Sequence, residues 1–187
     1  MLRNSLYALL VALLVSASPA TAPAAEQAPL QVCFTPGGDC TDLVVGEIAA
    51  ARHQILVQAY SFTSVPILSA LRAAHARGVD VEVIVDKTSA GVSKSGSHYS
   101  AAIYLNNAGI PVWVDIKVAI AHNKVMIVDG AVVITGSFNF TAAAQNRNAE
   151  NLLVISDPTI AAQYRDNWRR RQGVSMRFGR AAEEQSG

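Results

Sequence analysis

The sequence predicts an α/β domain in which a mixed, mainly parallel β-sheet is flanked by helices. Short valine- and isoleucine-rich runs alternate with helix-periodic segments along the chain, which is the pattern of strands connected through helices. Two adjacent apolar runs, His122 to Val128 and Ala131 to Thr135, are joined by Asp129-Gly130, a two-residue turn signal that adds a hairpin to the sheet. With 187 residues, the chain is long enough for one domain with a sizeable core.

The first residues read as a leader. Met1-Leu2-Arg3 gives a short positive start, Leu6 to Val15 is an apolar run too short to span a bilayer, and Ala22-Pro23-Ala24 is a small-x-small cleavage site. The expected boundaries are a signal peptide over residues 1–24, a folded domain over 25–175 and a flexible tail over 176–187. An uncleaved N-terminal anchor is the alternative. Export through such a leader predicts a periplasmic or secreted protein with no stable membrane association once the leader is removed.

Within the domain, Thr41 to Arg52 reads as a helix with Val44, Ile48 and Ala51 on one face, and Ile55 to Tyr60 as a strand. Val65 to Arg77 is a helix stopped by Gly78, and Val79 to Asp86 a valine-rich strand. Lys87 to Ser97 lacks periodicity and reads as a loop. A helix over Tyr99 to Asn107 and a short strand over Pro111 to Val114 precede the hairpin. A short helix from Phe140 to Gln145 and a strand from Leu152 to Ile155 follow it. Asp157 and Pro158 are the N-cap and first residue of a last helix, whose apolar face is Ile160, Tyr164 and Trp168.

Charge excludes little. Removing Arg3 with the leader leaves 14 basic residues against 14 acidic ones, so a nucleic-acid partner would be held by local basic patches and not by net charge. Cys33 and Cys40 flank a Pro-Gly-Gly turn, and an exported chain permits a disulfide between them. Two free thiols are the alternative, and the lack of a second cysteine pair argues against zinc.

The chemistry concentrates in Ala121-His122-Asn123-Lys124 and Gly136-Ser137-Phe138-Asn139. Residues i and i+2 of a strand share a face, so His122 and Lys124 point the same way from an otherwise apolar strand. Burying an unpaired lysine is costly; that face is expected to line a site that uses positive charge and a nucleophile or proton carrier, which suits phosphate chemistry.

The His-x-Lys-x4-Asp spacing, with Gly-Ser-x-Asn after it, resembles the phospholipase D superfamily, and most closely its small single-motif secreted bacterial endonucleases of the Nuc type. Gln58-Ala59-Tyr60-Ser61-Phe62-Thr63 resembles that group's first central strand, and Asn148-Ala149-Glu150-Asn151 the segment carrying its acidic partner. The resemblance covers most of residues 31–170. It implies a phospholipase D-like fold and a phosphodiesterase that hydrolyses DNA with little sequence preference, with RNA left open as a second substrate. His122 would be the nucleophile forming a phosphohistidine, Lys124 and Asn139 would hold the non-bridging oxygens, Ser137 would add a hydroxyl hydrogen bond, and Glu150 would accept from the imidazole. With one motif per chain, it implies a homodimer whose two copies of His122 share one active site, and no cofactor or metal. Asp129 fits the motif but lies in the turn, where a supporting structural role is expected.

Lys87, Lys94 and Arg147 are further candidates for contacts to a phosphate backbone, with a solvated loop the competing reading for the two lysines. Arg169-Arg170-Arg171 reads rather as a helix C-terminus dressed with cations, and Trp113 and Trp168 as core. Two other functions remain open at this stage: a phospholipase D or phosphatidyl transferase acting on phospholipid, and a non-catalytic DNA-binding module.

Overall fold

The computed structural model describes residues 29–90 and 100–179. The expected leader, Lys94 and the end of the expected tail lie outside them. In chain order the elements are β1 (Leu30–Thr35), α1 (Cys40–Ala50), β2 (Gln54–Ala59), α2 (Val65–Ala76), β3 (Asp80–Asp86), α3 (Lys87–Ala90), α4 (Ala101–Asn107), β4 (Val112–Asp115), β5 (Lys124–Val128), β6 (Val132–Gly136), α5 (Ala142–Asn146), β7 (Glu150–Ser156), α6 (Pro158–Gln172) and β8 (Met176–Arg177).

One sheet takes all eight strands in the order β1-β7-β6-β5-β2-β3-β4-β8. The expected α/β architecture with a mixed sheet and flanking helices is present. The expectation that the sheet is mainly parallel is corrected: only β2–β3 and β3–β4 pair in parallel. The other five neighbours are antiparallel. Parallel pairing needs a long crossover connection, and α2 and α4 provide these only in the first half. Beyond β4, a loop returns the chain as β5, antiparallel to β2; β6 and β7 then follow antiparallel in turn, β1 closes one edge on β7, and β8 closes the other on β4 after α6.

Alternation along the strands sends apolar side chains to both faces. Val57, Val83, Met126 and Val154 join the larger core with Val44 and Ile48 of α1 and Ile67 and Leu71 of α2. Leu56, Ile84, Val125, Ile127 and Val133 face the other way and meet Ala161 and Trp168 of α6. Asp157 caps α6 by accepting from the N–H groups of Thr159 and Ile160, and Trp168 donates its indole N–H to the Val57 carbonyl at 2.9 Å. The cations at the end of α6 do more than dress a helix terminus. Arg171 forks onto the buried Asp115 carboxylate and Arg169 reaches Glu82 at 2.9 Å, which ties α6 to β4 and β3.

The tail expected from residue 176 is corrected at its start. Met176 and Arg177 form β8 along the otherwise open edge of β4, and the Arg177 guanidinium sits 4.6 Å from the centre of the Trp113 ring. Cys33 and Cys40 are joined by a disulfide that pins β1 to the start of α1. No helix among the described residues is long and apolar enough to cross a membrane.

The hairpin connection is one residue longer than expected. Asp129, Gly130 and Ala131 separate the paired Val128 and Val132, with Asp129 at φ 52° and Gly130 at φ 64°. The Asp129 carboxylate accepts from the backbone N–H groups of Arg52, His53 and Gln54 at 2.8–2.9 Å. It thereby locks the hairpin to the start of β2, at the end of β5 away from Lys124. Burial would raise the Asp129 pKa, but the hydrogen bonds from Gln54, Arg52 and His53 outweigh it and hold the carboxyl below its ordinary value. A depressed pKa adds stability above the unfolded-state value that is lost as pH falls through the folded-state value. Asp129→Asn should therefore cost on the order of 2 kcal/mol at neutral pH. Urea unfolding should show the gap from wild type narrowing in acid; a gap independent of pH would rule out the charged clamp.

Candidate active site

Lys124 begins β5 and is only 7% exposed, on the same face as Met126 and Val128 of the larger core. A buried ammonium needs partners, and three elements supply them. The segment before β5 provides the His122 carbonyl oxygen at 2.8 Å and the His122 ring, whose Nδ1 and Nε2 lie 3.2 and 3.3 Å from Lys124 Nζ. The residue after β2, Tyr60, turns its ring face to the ammonium at 5.4 Å. The start of β7 brings the Glu150 carboxylate within electrostatic reach. Burial pulls the Lys124 pKa below its ordinary value, with Glu150 opposing that shift.

His122 itself precedes the strand instead of lying in it, and is exposed. Its side chain still reaches Lys124. The Tyr60 ring packs against the imidazole, centroids 4.5 Å apart. An ammonium can only donate, and both ring nitrogens lie within its reach, so a neutral imidazole accepts from Lys124 through whichever nitrogen carries no proton.

Asn139 reaches the same end of the sheet through its neighbour. The Phe140 carbonyl accepts from the N–H groups of Thr63 and Ser64, and the Phe140 ring packs edge-on against Phe62, just past β2. Asn139 Oδ1 is buried and accepts no hydrogen bond among the described residues. An unpaired buried amide oxygen is costly.

Ser137 is tied to β7: its Oγ accepts from Asn151 N–H at 3.0 Å, which leaves the hydroxyl proton free to donate. Gly136 makes this approach possible, because at φ 148° a Cβ would stand 2.3 Å from the Asn151 carbonyl oxygen. The expected hydrogen bond between Glu150 and the imidazole is absent among the described residues. Glu150 Oε1 instead accepts from Asn148 Nδ2 at 3.0 Å, and the carboxylate acts on Lys124 through charge. The ammonium, lying against both ring nitrogens, occupies the flank of the imidazole that a carboxylate would need.

Other candidates separate from this group. Asp129 is at the far end of β5. Lys87 Nζ donates to the Val118 carbonyl and so braces the loop leading to His122. Arg147 is exposed at the C-cap of α5, and its side chain has no ion pair or hydrogen bond among the described residues. Tyr60 and Asp86 had no role assigned from the sequence. An aromatic closing the Gln58–Ala59 strand and a lone acid ending a valine run were the available signals.

Chemically, an imidazole and a fixed cation are in contact here, and the segment after β6 carries an amide and a hydroxyl. No group of three or more His, Cys, Asp or Glu side chains that could hold a metal ion occurs among the described residues.

These are groups that phosphodiester chemistry would use. The chain belongs to the phospholipase D superfamily: residues 44–171 match the family described as cardiolipin synthase, PLD-like domain. It is 43% identical over 143 residues to a phospholipase D of Rickettsia bellii, covering 76% of this chain and 69% of that one. It is 33% identical over 120 residues to the mitochondrial cardiolipin hydrolase of Xenopus tropicalis, covering 64% and 55%. Among solved structures it superposes on the phospholipase D family member Nuc of Salmonella typhimurium with a TM-score of 0.72 and 36% identity, covering 81% of this chain and 99% of Nuc. The protein is accordingly an enzyme, a phosphodiester hydrolase.

Because Glu150 opposes the burial shift of Lys124, Glu150→Gln should lower the lysine pKa further. Direct NMR titration of the Lys124 ammonium would read this; a pKa that stays put or rises would show that Glu150 does not act on it.

Proposed function

We propose that this chain is an exported endonuclease that hydrolyses the phosphodiester bonds of DNA with little sequence preference. The observation that supports this reading best is the economy of the site. One His122–Lys124–Asn139 set stands on a domain that spans 99% of Nuc at 36% identity, with no added lipid-binding module among the described residues.

In the proposed reaction a His122 ring nitrogen attacks phosphorus, the P–N bond forms and the P–O bond to the leaving alkoxide breaks. Lys124 and Asn139, with the Ser137 hydroxyl, stabilise charge on the non-bridging oxygens. The alkoxide needs a proton from the side opposite the attacking imidazole. One His122 cannot serve both sides, so a second copy, related by a two-fold axis, supplies its own His122 as the acid. Water then attacks the phosphohistidine, its proton passes to that second imidazole, and the P–N bond breaks. Exposure of His122 supports such an approach. No step in this scheme uses a metal ion, and the leader expected over residues 1–24 would deliver the enzyme to the periplasm or outside the cell.

A second reading, hydrolysis of phospholipid, is favoured by a particular observation. Ile116 and Ile120, 42% and 56% exposed, stand on the loop that delivers His122, where an apolar substrate or surface would meet the site. The Rickettsia relatives carry the name phospholipase D.

Incubating wild type and His122→Ala with plasmid DNA and with phosphatidylcholine vesicles, both in excess chelator, separates these readings. Wild type should nick the plasmid and leave the vesicles intact, while His122→Ala falls by at least ~1,000-fold with its fold retained. Vesicle hydrolysis without nicking selects the phospholipid reading, and full activity in His122→Ala removes the mechanism. Sedimentation should show a dimer, and dilution below its dissociation constant should abolish turnover.

A further inference from the structure

We infer that Asp86 is a positioning residue for the reaction, fixing the backbone from which His122 projects. This rests on the reading of His122 as the reacting group.

Asp86 is the last residue of β3 and 1% exposed. Its Oδ2 accepts from the N–H of Ala121, the residue before His122, at 2.7 Å. Its Oδ1 accepts from Thr88 N at 2.8 Å and from Thr88 Oγ1 at 2.6 Å. Burial would raise this carboxyl's pKa, but the hydrogen bonds from Thr88 and Ala121 and the nearby Lys87 charge outweigh it and hold it ionised. A charged acceptor in a buried place makes a strong and directional tether.

The tether completes a set. Ala121 N–H is held by Asp86 and the His122 carbonyl by Lys124 Nζ, while the Asn123 carbonyl accepts from Tyr60 N–H at 2.9 Å. Three consecutive residues are thus fixed by β3, β5 and the end of β2. This matters because residues 116–123 belong to no helix or strand, so ladder hydrogen bonds cannot set the position of His122. Lys87 on the Val118 carbonyl, and Ser89 Oγ donating to the Tyr60 carbonyl, brace the same junction from α3. In-line attack needs the imidazole placed to a fraction of an ångström. A plain alternative is that Asp86 only starts α3 by capping Thr88.

The two roles separate in Asp86→Asn and Thr88→Ala. Asparagine has one acceptor oxygen, so either Ala121 N–H or Thr88 loses its partner; Thr88→Ala removes only the hydroxyl bond on the α3 side. On bis(4-nitrophenyl) phosphate, a small soluble phosphodiester, Asp86→Asn should lower kcat by ~10–100-fold with KM within about twofold, and Thr88→Ala should leave kcat within about twofold. In the substrate-free proteins, the His122 imidazole nitrogen resonances should move in Asp86→Asn and stay in Thr88→Ala. Equal effects of both substitutions, or unmoved resonances in Asp86→Asn, overturn the inference. Should Asp86→Asn not fold, Asp86→Glu, which keeps the charge but advances it by a methylene, must give the same kcat loss and resonance shift. His122→Ala assayed alongside tests the underlying reading separately: if it retains turnover, that reading fails whatever Asp86 does. If wild type does not turn over the probe, the resonances alone decide the role of Asp86.

Discussion

A lysine ammonium at the inner end of an apolar strand has to be surrounded, and the fold around Lys124 answers that requirement. A carbonyl oxygen, two imidazole nitrogens, an aromatic face and a carboxylate converge on it from three separate segments. They can converge because β5 lies between β2 and β6, with β7 next in the sheet, so that the end of β2, the beginning of β5 and the beginning of β7 share one edge of the molecule. Register matters as much as order. A slip of one residue in the pairing of β5 with β2 would turn Lys124 toward α6 and bring Val125 into its place. The Asp129 clamp at the opposite end of the strand holds that register. The aspartate of the motif therefore serves the lysine of the motif through the length of a strand.

Close approach is the second constraint. Glu150 and Ser137 lie where β6 ends and β7 begins, and the two strands come together there without a side chain between Gly136 and the Asn151 carbonyl. Any larger residue would have to push β7 outward and draw the Glu150 charge away from Lys124. The glycine in Gly-Ser-x-Asn thus has a steric reason, and the serine has a double one, since its oxygen holds β7 while its proton stays available.

Much of this was legible in the sequence, because alternation and turn chemistry are local rules. His122 and Lys124 announced themselves by sharing a face in an apolar run, Asp157-Pro158 by capping logic and the hairpin by its Asp-Gly. What was not legible depended on contacts distant in the chain. Nothing local tells that Asp86 meets Ala121, that Tyr60 stacks on His122, or that Asp115 waits for Arg171. The proportion of parallel strands was misjudged for the same reason: alternating strands and helices predict crossovers, but not where they stop. Met176 and Arg177 looked like tail because a two-residue strand has no periodicity; the open edge of β4 gives it its place. Glu150 was expected to accept from the imidazole and instead accepts from Asn148 and acts on Lys124 by charge, since spacing cannot reveal that the lysine lies against the ring.

The contrast in burial between Lys124 and His122 fits the tasks proposed for them. A charge that only stabilises gains from being fixed and shielded from water, where its field is screened least, and Lys124 is buried. A group that forms and breaks a bond to phosphorus must be reached by substrate, and under the proposed scheme by a second copy as well; His122 is exposed. Exposure removes the packing that would normally hold a side chain still. The enzyme places that order in the backbone instead, tying Ala121, His122 and Asn123 to three strands of the sheet while the imidazole faces out. A loop with no ladder of its own is thereby tied to the sheet, and that combination of openness and tethering is what the proposed in-line attack would require of His122.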